Sequence, residues 1–160
     1  MKQITISVCC ILLVLTGSRC ENEPLLGHIR LFVTYPEAVV EPDQPLSFIQ
    51  VPANGAEVRL YDKDAQCWGI RDARSGVAWI DSKPTASICT QKTNEKGEAL
   101  FNDLPAGEYY LVIYAKQLYK YTEKYVDVYS GDTLKLTKDF TADLGYSNDL
   151  EPWDYVMPVN

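Results

Sequence analysis

The chain has 160 residues, 15 of them basic and 22 acidic, for a formal charge of −7. Its content of 46% hydrophobic and 23% charged residues is that of a globular protein, which excludes a chain disordered throughout and leaves room for one domain with its own core. The acidic balance, without a basic run, excludes nucleic acid as the main partner, and a single histidine, His28, excludes any mechanism that needs two.

Lys2 opens the sequence, and Ile4–Leu15 is apolar apart from Thr5 and Ser7. As a helix this stretch spans about 18 Å, short of a ~30 Å hydrocarbon core, so it reads as a cleaved export signal rather than a finished membrane span. The following Leu15-Thr16-Gly17-Ser18-Arg19-Cys20 resembles the signal of bacterial lipoproteins, with Cys20 as the lipid attachment site. Arg19 and Gly17 depart from the small residue and the leucine usual at those places. The alternative is an ordinary cut after Ser18, which leaves Cys20 a plain thiol. Either route exports the protein. The lipid route places it in the bacterial cell envelope, anchored to the outer membrane. This divides the chain into a signal peptide (1–19), a tether (20–26), a β-sandwich domain (27–142) and an acidic, aromatic tail (143–160).

Cys9 and Cys10 leave with the signal, so Cys67 and Cys89 remain as an even pair in an oxidising compartment. A disulfide between them is expected over two free thiols. It would close a loop of about 22 residues and constrain the unfolded chain by roughly 3 kcal/mol. Two cysteines and a distant histidine lack metal-ligand spacing, so no metal or other cofactor is expected.

After residue 25 the periodicity is that of strands, with no helical period. Ile29, Leu31 and Val33 form one face of a first strand. Pro36, Pro42, Pro45 and Pro52 then mark an edge segment or an ordered loop. Asn54-Gly55 signals a turn into Ala56–Tyr61, with Ala56, Val58 and Leu60 inward and Glu57, Arg59 and Tyr61 outward. Residues 63–84 are irregular and hold Cys67, Trp68 and Trp79, with a short strand at Trp79-Ile80; a loop this long is functional or disordered. Strands follow at Ala86–Thr93, Glu98–Phe101 and Tyr109–Tyr114, the last apolar on both faces, then within Tyr119–Tyr129 and from Leu134. About seven short strands separated by turn signals describe an all-β, Ig-like or prealbumin-like sandwich.

Three segments carry a family resemblance: Gly55–Tyr61, Thr93–Phe101 and Leu104–Leu111. In this order they resemble the transthyretin-like (prealbumin-like) modules of carboxypeptidase regulatory domains and of collagen-adhesin B-type repeats, over roughly residues 27–137. The resemblance implies a scaffold rather than a catalyst. Some adhesin modules of this kind close a Lys–Asn bond with the help of a buried acid. Ile29–Thr34 holds Arg30 and no lysine, and Tyr109–Tyr114 holds no acid, so no such bond is expected here. Members in Bacteroidetes-type envelopes are often small lipoproteins, which matches a lipid signal followed by one module.

No serine stands in a nucleophile motif, and no catalytic residue is assigned. His28 reads as a surface residue. Asp62 and Asp64 read as a charged strand end rather than half a calcium site. Asp143, Asp149, Glu151 and Asp154 read as a solvated tail. The aromatics are the candidates for function. Tyr119, Tyr121, Tyr125 and Tyr129 fall on odd positions, which a strand presents on one side, opposite Val126 and Val128. With Trp68 and Trp79 they form a candidate binding surface, the alternative being a second packed face. The chain is thus expected to be a non-enzymatic, lipid-anchored envelope module for adhesion or for assembly with other envelope proteins. The alternative is a glycan- or peptide-binding module that uses the Tyr/Trp surface.

Overall fold

A computed structural model describes residues 26–142, 148, 149 and 153–156. Eleven strands and one short helix are found among them. In chain order they are β1 (Leu26–Val39), β2 (Ser47–Pro52), β3 (Glu57–Asp62), α1 (Ile70–Ser75), β4 (Val77–Ile80), β5 (Lys83–Ala86), β6 (Cys89–Lys92), β7 (Glu98–Pro105), β8 (Gly107–Ala115), β9 (Lys120–Val128), β10 (Thr133–Asp139) and β11 (Trp153–Val156). They form a β-sandwich. One sheet runs β11-β10-β1-β2, with β7 also on β1, and the other runs β6-β3-β8-β9. The β4–β5 hairpin is a third, separate sheet. The expected all-β fold is present, with more strands than the seven read from the sequence.

Period-two alternation sets which side chains fill the space between the sheets. From β1 come Ile29, Leu31 and Val33; from β3, Val58 and Leu60; from β8, Tyr109, Leu111, Ile113 and Ala115; from β9, Val126 and Val128. Phe101, Leu136 and Phe140 complete this core. Burying each large apolar side chain contributes about 1.5–3 kcal/mol. The β6–β7 turn depends on Gly97, whose φ of 75° lies in the left-handed region. A Cβ there would also collide with the Val33 carbonyl oxygen.

The other face of β8 is buried too. Tyr110, Val112 and Tyr114, with Tyr61 from β3 and Tyr121 from β9, form a second core with Ala65, Cys67, Ala73 and Ala78. The chain between β3 and β6 folds over this face. The segment read as an irregular loop therefore contains α1 and the β4–β5 hairpin. Six helical residues are too few for a sequence period to register. Arg59 projects from β3 into the insert, donates to the Ala73 carbonyl oxygen and pairs with Glu57. Just beyond, Gly76 ends the helix in the left-handed conformation, its N–H bonded to the Asp72 carbonyl.

The proline-bearing connection resolves into β2, antiparallel to the distal half of β1 from Thr34↔Pro52 to Val39↔Ser47. Ala53 donates to the Val33 carbonyl. Ladder alternation then turns the N–H groups of Val51, Ile49 and Ser47 toward β1 and those of Phe48 and Gln50 toward the free edge. Pro36 and Pro52 fall in the widely spaced pairs, where no donor is required.

Candidate functional site

The odd-numbered tyrosines of β9 do lie opposite Val126 and Val128, but they do not form one exposed row. Tyr121 is buried in the second core beneath the insert. Tyr125 is 48% exposed and tilts against Tyr110 at 5.2 Å between ring centroids. Tyr119, before the strand, is exposed and meets the Arg74 guanidinium. Tyr129 is exposed beyond the other end of the strand, on the order of 30 Å from Tyr119. Both readings of the tyrosines, exposed face and packed face, thus apply in part.

Trp68 and Trp79 come together. Their rings stack with centroids 4.8 Å apart and 6° between planes. Asp72 on α1 fixes the pair: one carboxylate oxygen accepts Trp79 Nε1–H at 2.9 Å and the Trp68 backbone N–H at 3.0 Å. Trp79 is the partly buried inner ring, and Trp68 is 63% exposed. The result is a flat aromatic surface held without the usual rotamer freedom.

A cleft of about 360 Å³ opens between the insert and β8–β9, lined by Gln66, Cys67, Tyr110, Glu123, Lys124 and Tyr125; Gln66, which bridges Trp79, and Cys67 connect its lining to the tryptophan pair. The Tyr110 hydroxyl donates to Glu123 Oε2 and accepts the Cys67 backbone N–H at 3.0 Å. This anchors the Glu123 carboxylate at the cleft wall. Burial pushes the Cys67 thiol up to about 12, with the nearby Glu123 and Asp72 charges adding to the shift. Burial raises the Tyr110 hydroxyl as well, and its bond to Glu123 raises it further. Cys67 is therefore a protonated, packed thiol rather than a nucleophile.

The expected Cys67–Cys89 disulfide is not formed; both cysteines are free. The reason is topological. Cys67 belongs to the core on the outer face of sheet β6-β3-β8-β9, whereas Cys89, opposite Leu60, packs on the inter-sheet core. The sheet itself separates the two sulfurs. Cys20 lies outside the described residues.

The tail is not uniformly solvated. Asp149 is buried and takes Lys138 Nζ at 2.7 Å on Oδ1 and Lys120 Nζ at 3.2 Å on Oδ2. Both lysines are buried as well. The Thr141 N–H and hydroxyl also donate to Asp149 Oδ2. Burial alone would raise the Asp149 carboxyl, but the Lys138 and Thr141 hydrogen bonds outweigh it and hold the carboxyl below the usual aspartate value. These lysines stand outside the two strands in which the sequence reading sought a lysine and an acid. Asp143 and Glu151 lie outside the described residues. Among the described residues no group of His, Cys, Asp or Glu side chains is placed to hold a metal. His28 sits at the surface, where its Nδ1 accepts the Asp103 N–H at 3.3 Å.

No family model and no curated protein matches the chain. Among solved structures it is similar to GBS52, the minor pilin of Streptococcus agalactiae, at 16% identity and a TM-score of 0.41, over 81% of this chain and 47% of that one. It is also similar to a variant of BcpA, the major pilin subunit of Bacillus cereus, at 18% identity and a TM-score of 0.35, over 72% of this chain and 29% of that one. The chain spans less than half the length of either.

Proposed function

We propose that the chain is an exported, non-enzymatic module, lipid-anchored at Cys20, that assembles with another envelope protein by accepting an extended strand on β2. The observation that carries this reading is the β1–β2 arm. Phe48 is 49% and Ile49 53% exposed, with Val40 and Leu46 exposed beside them. No charge falls between Gln44 and Asn54, and the Phe48 and Gln50 N–H groups face the open edge. Natural edge strands are normally guarded by charge, and this one is not. An unguarded edge is suited to strand addition, in which backbone bonds supply affinity and alternate side chains supply specificity.

Charge argues for a different protein as the partner. The whole chain carries −7, and between Arg30 and Arg59 it holds Glu37, Glu41, Asp43 and Glu57 with no lysine or arginine. Two such arms repel each other, whereas an apolar strand flanked by basic residues is complementary. The buried, protonated state of Cys67 supports the non-enzymatic part of the reading.

Two measurements test it. The native protein should begin at Cys20 with a diacyl or triacyl mass increment, and Cys20→Ser should abolish both the increment and detergent partitioning. An unmodified, soluble chain beginning at Arg19 overturns the anchor. A photo-crosslinking residue at Leu46 should join the chain to one envelope protein in situ. Phe48→Pro, which removes an edge N–H without touching the β1 ladder, should abolish that adduct. An adduct only with a second copy, or one indifferent to Phe48→Pro, overturns strand addition.

A further inference from the structure

We propose that the cleft between the insert and β8–β9, together with the exposed Trp68 ring that follows its lining residues Gln66 and Cys67 in the chain, is a saccharide-binding site, separate from the β2 edge, in which Trp68 and Tyr125 are stacking platforms and Glu123 and Gln66 are hydrogen-bonding groups. The volume of about 360 Å³ lies near the lower end of the small-ligand range, roughly 300–1,000 Å³, and suits one or two sugar rings. A pyranose presents a flat C–H face and a rim of hydroxyls. Its recognition calls for a rigid aromatic plane and fixed acceptors around it.

The structure supplies both. Trp68 is held flat by Trp79 beneath it and by Asp72, so a ligand need not order it on binding. Tyr125 is braced by Tyr110. Glu123 is oriented by the Tyr110 hydroxyl through one oxygen, and among the described residues its other oxygen takes no hydrogen bond. The Gln66 backbone is committed to Trp79, and its side chain lines the cleft.

Other ligand classes fit less well. The fixed Glu123 carboxylate opposes phosphates and other anions, and Lys124, the cation on the same lining, directs its ammonium to the Trp153 ring, 5.3 Å from the centroid. On the neighbouring β9 edge the Tyr121 carbonyl accepts the Asp149 N–H at 2.7 Å, and the competition arm of the test separates a saccharide from an extended peptide on the rest of that edge. What the cleft presents is side-chain faces.

The test uses the full exported chain against a panel of neutral oligosaccharides of defined linkage: cello-, xylo-, manno- and chito-oligomers. Binding is followed by calorimetry and by tryptophan emission, since Trp68 would be covered. At least one member should bind and change the emission. Trp68→Ala, Tyr125→Ala and Glu123→Gln should each weaken it about tenfold or more. Trp68→Phe should fall between wild type and Trp68→Ala, and Phe48→Pro should leave it unchanged. Trp68 and Tyr125 are exposed enough that near-UV circular dichroism should show these variants folded. Failure of every member to bind at millimolar concentration overturns the proposal. So does binding that survives both Trp68→Ala and Tyr125→Ala, or competition by an unrelated extended peptide.

Discussion

Two regions carry apolar residues outside the space between the sheets, and they have opposite fates. On the outer face of sheet β6-β3-β8-β9, Tyr61, Tyr110, Val112, Tyr114 and Tyr121 are all buried, because α1 and the β4–β5 hairpin lie over them. On the β1–β2 arm, Leu46, Phe48 and Ile49 have no such cover among the described residues. The local sequences do not distinguish the two. The long connection between β3 and β6 does: it supplies a lid, a clamp in Arg59 and an aromatic lip in Trp68 and Trp79. The short turn between β1 and β2 supplies nothing. One apolar face is thereby used for stability and the other is left available.

The largest effect is expected where burial is complete and the groups are charged. Asp149→Ala leaves Lys120 and Lys138 buried side by side without their shared carboxylate, and should cost about 3–5 kcal/mol in urea unfolding. The same site predicts an acid limb. Asp149 is held below its ordinary value, so its contribution is fully present above about pH 4 and is lost as pH falls through the lower folded value. Asp149→Asn should be less stable at neutral pH and should lack this component of the acid transition. Equal acid profiles for the two proteins would show that the pair contributes nothing specific.

A smaller effect is expected at the clamp. Arg59→Ala leaves the Ala73 carbonyl without its side-chain donor and frees the end of α1, at a cost of about 1–3 kcal/mol. The loss should be local. Cys67 reports it, because the native thiol is buried and protonated and should resist alkylation at pH 8. In Arg59→Ala the Cys67 thiol should react before global unfolding, as the insert lifts from the sheet. If Cys67 becomes reactive only along with the whole molecule, lid and sandwich are one cooperative unit and the contrast between the two regions weakens.

How much of this was legible depended on how local each signal was. The alternation of β1, β3 and β9 revealed their inward faces, and the unbroken apolar run of β8 showed that both its faces were covered. What covered the outer one was out of reach, since α1 is a single short turn sequence and its docking rests on Arg59 meeting Ala73, fourteen residues away. β2 was half hidden by the prolines around it, which are harmless because Pro36 of β1 and Pro52 of β2 occupy pairs that need no donor. Tyr121 and Tyr125 share the outer face of β9 that their odd positions indicate, but Tyr121 is buried beneath the lid, and Tyr119 and Tyr129 fall outside the strand. The Cys67–Cys89 pairing was plausible from number and compartment, but not from geometry: Cys89 shares a face with its cross-strand partner Leu60, on the side of the sheet away from Cys67. Asp149 looked like one acid in an acidic tail, because its two lysines come from β9 and β10.

The smallest effect, and the sharpest test of the contrast, belongs to the bare arm. Phe48→Lys replaces a half-exposed ring that belongs to neither core, so stability should change by no more than about 0.5 kcal/mol. The same change at the lidded face, Tyr110→Lys, would place an ammonium among Tyr61, Cys67 and Val112 and should prevent the native packing of that core. If Phe48→Lys leaves the urea midpoint in place and abolishes the envelope adduct, the arm's apolar residues are there for a partner rather than for the fold. If it shifts the midpoint as far as Arg59→Ala does, the arm packs within the molecule and its exposed edge cannot be the assembly surface.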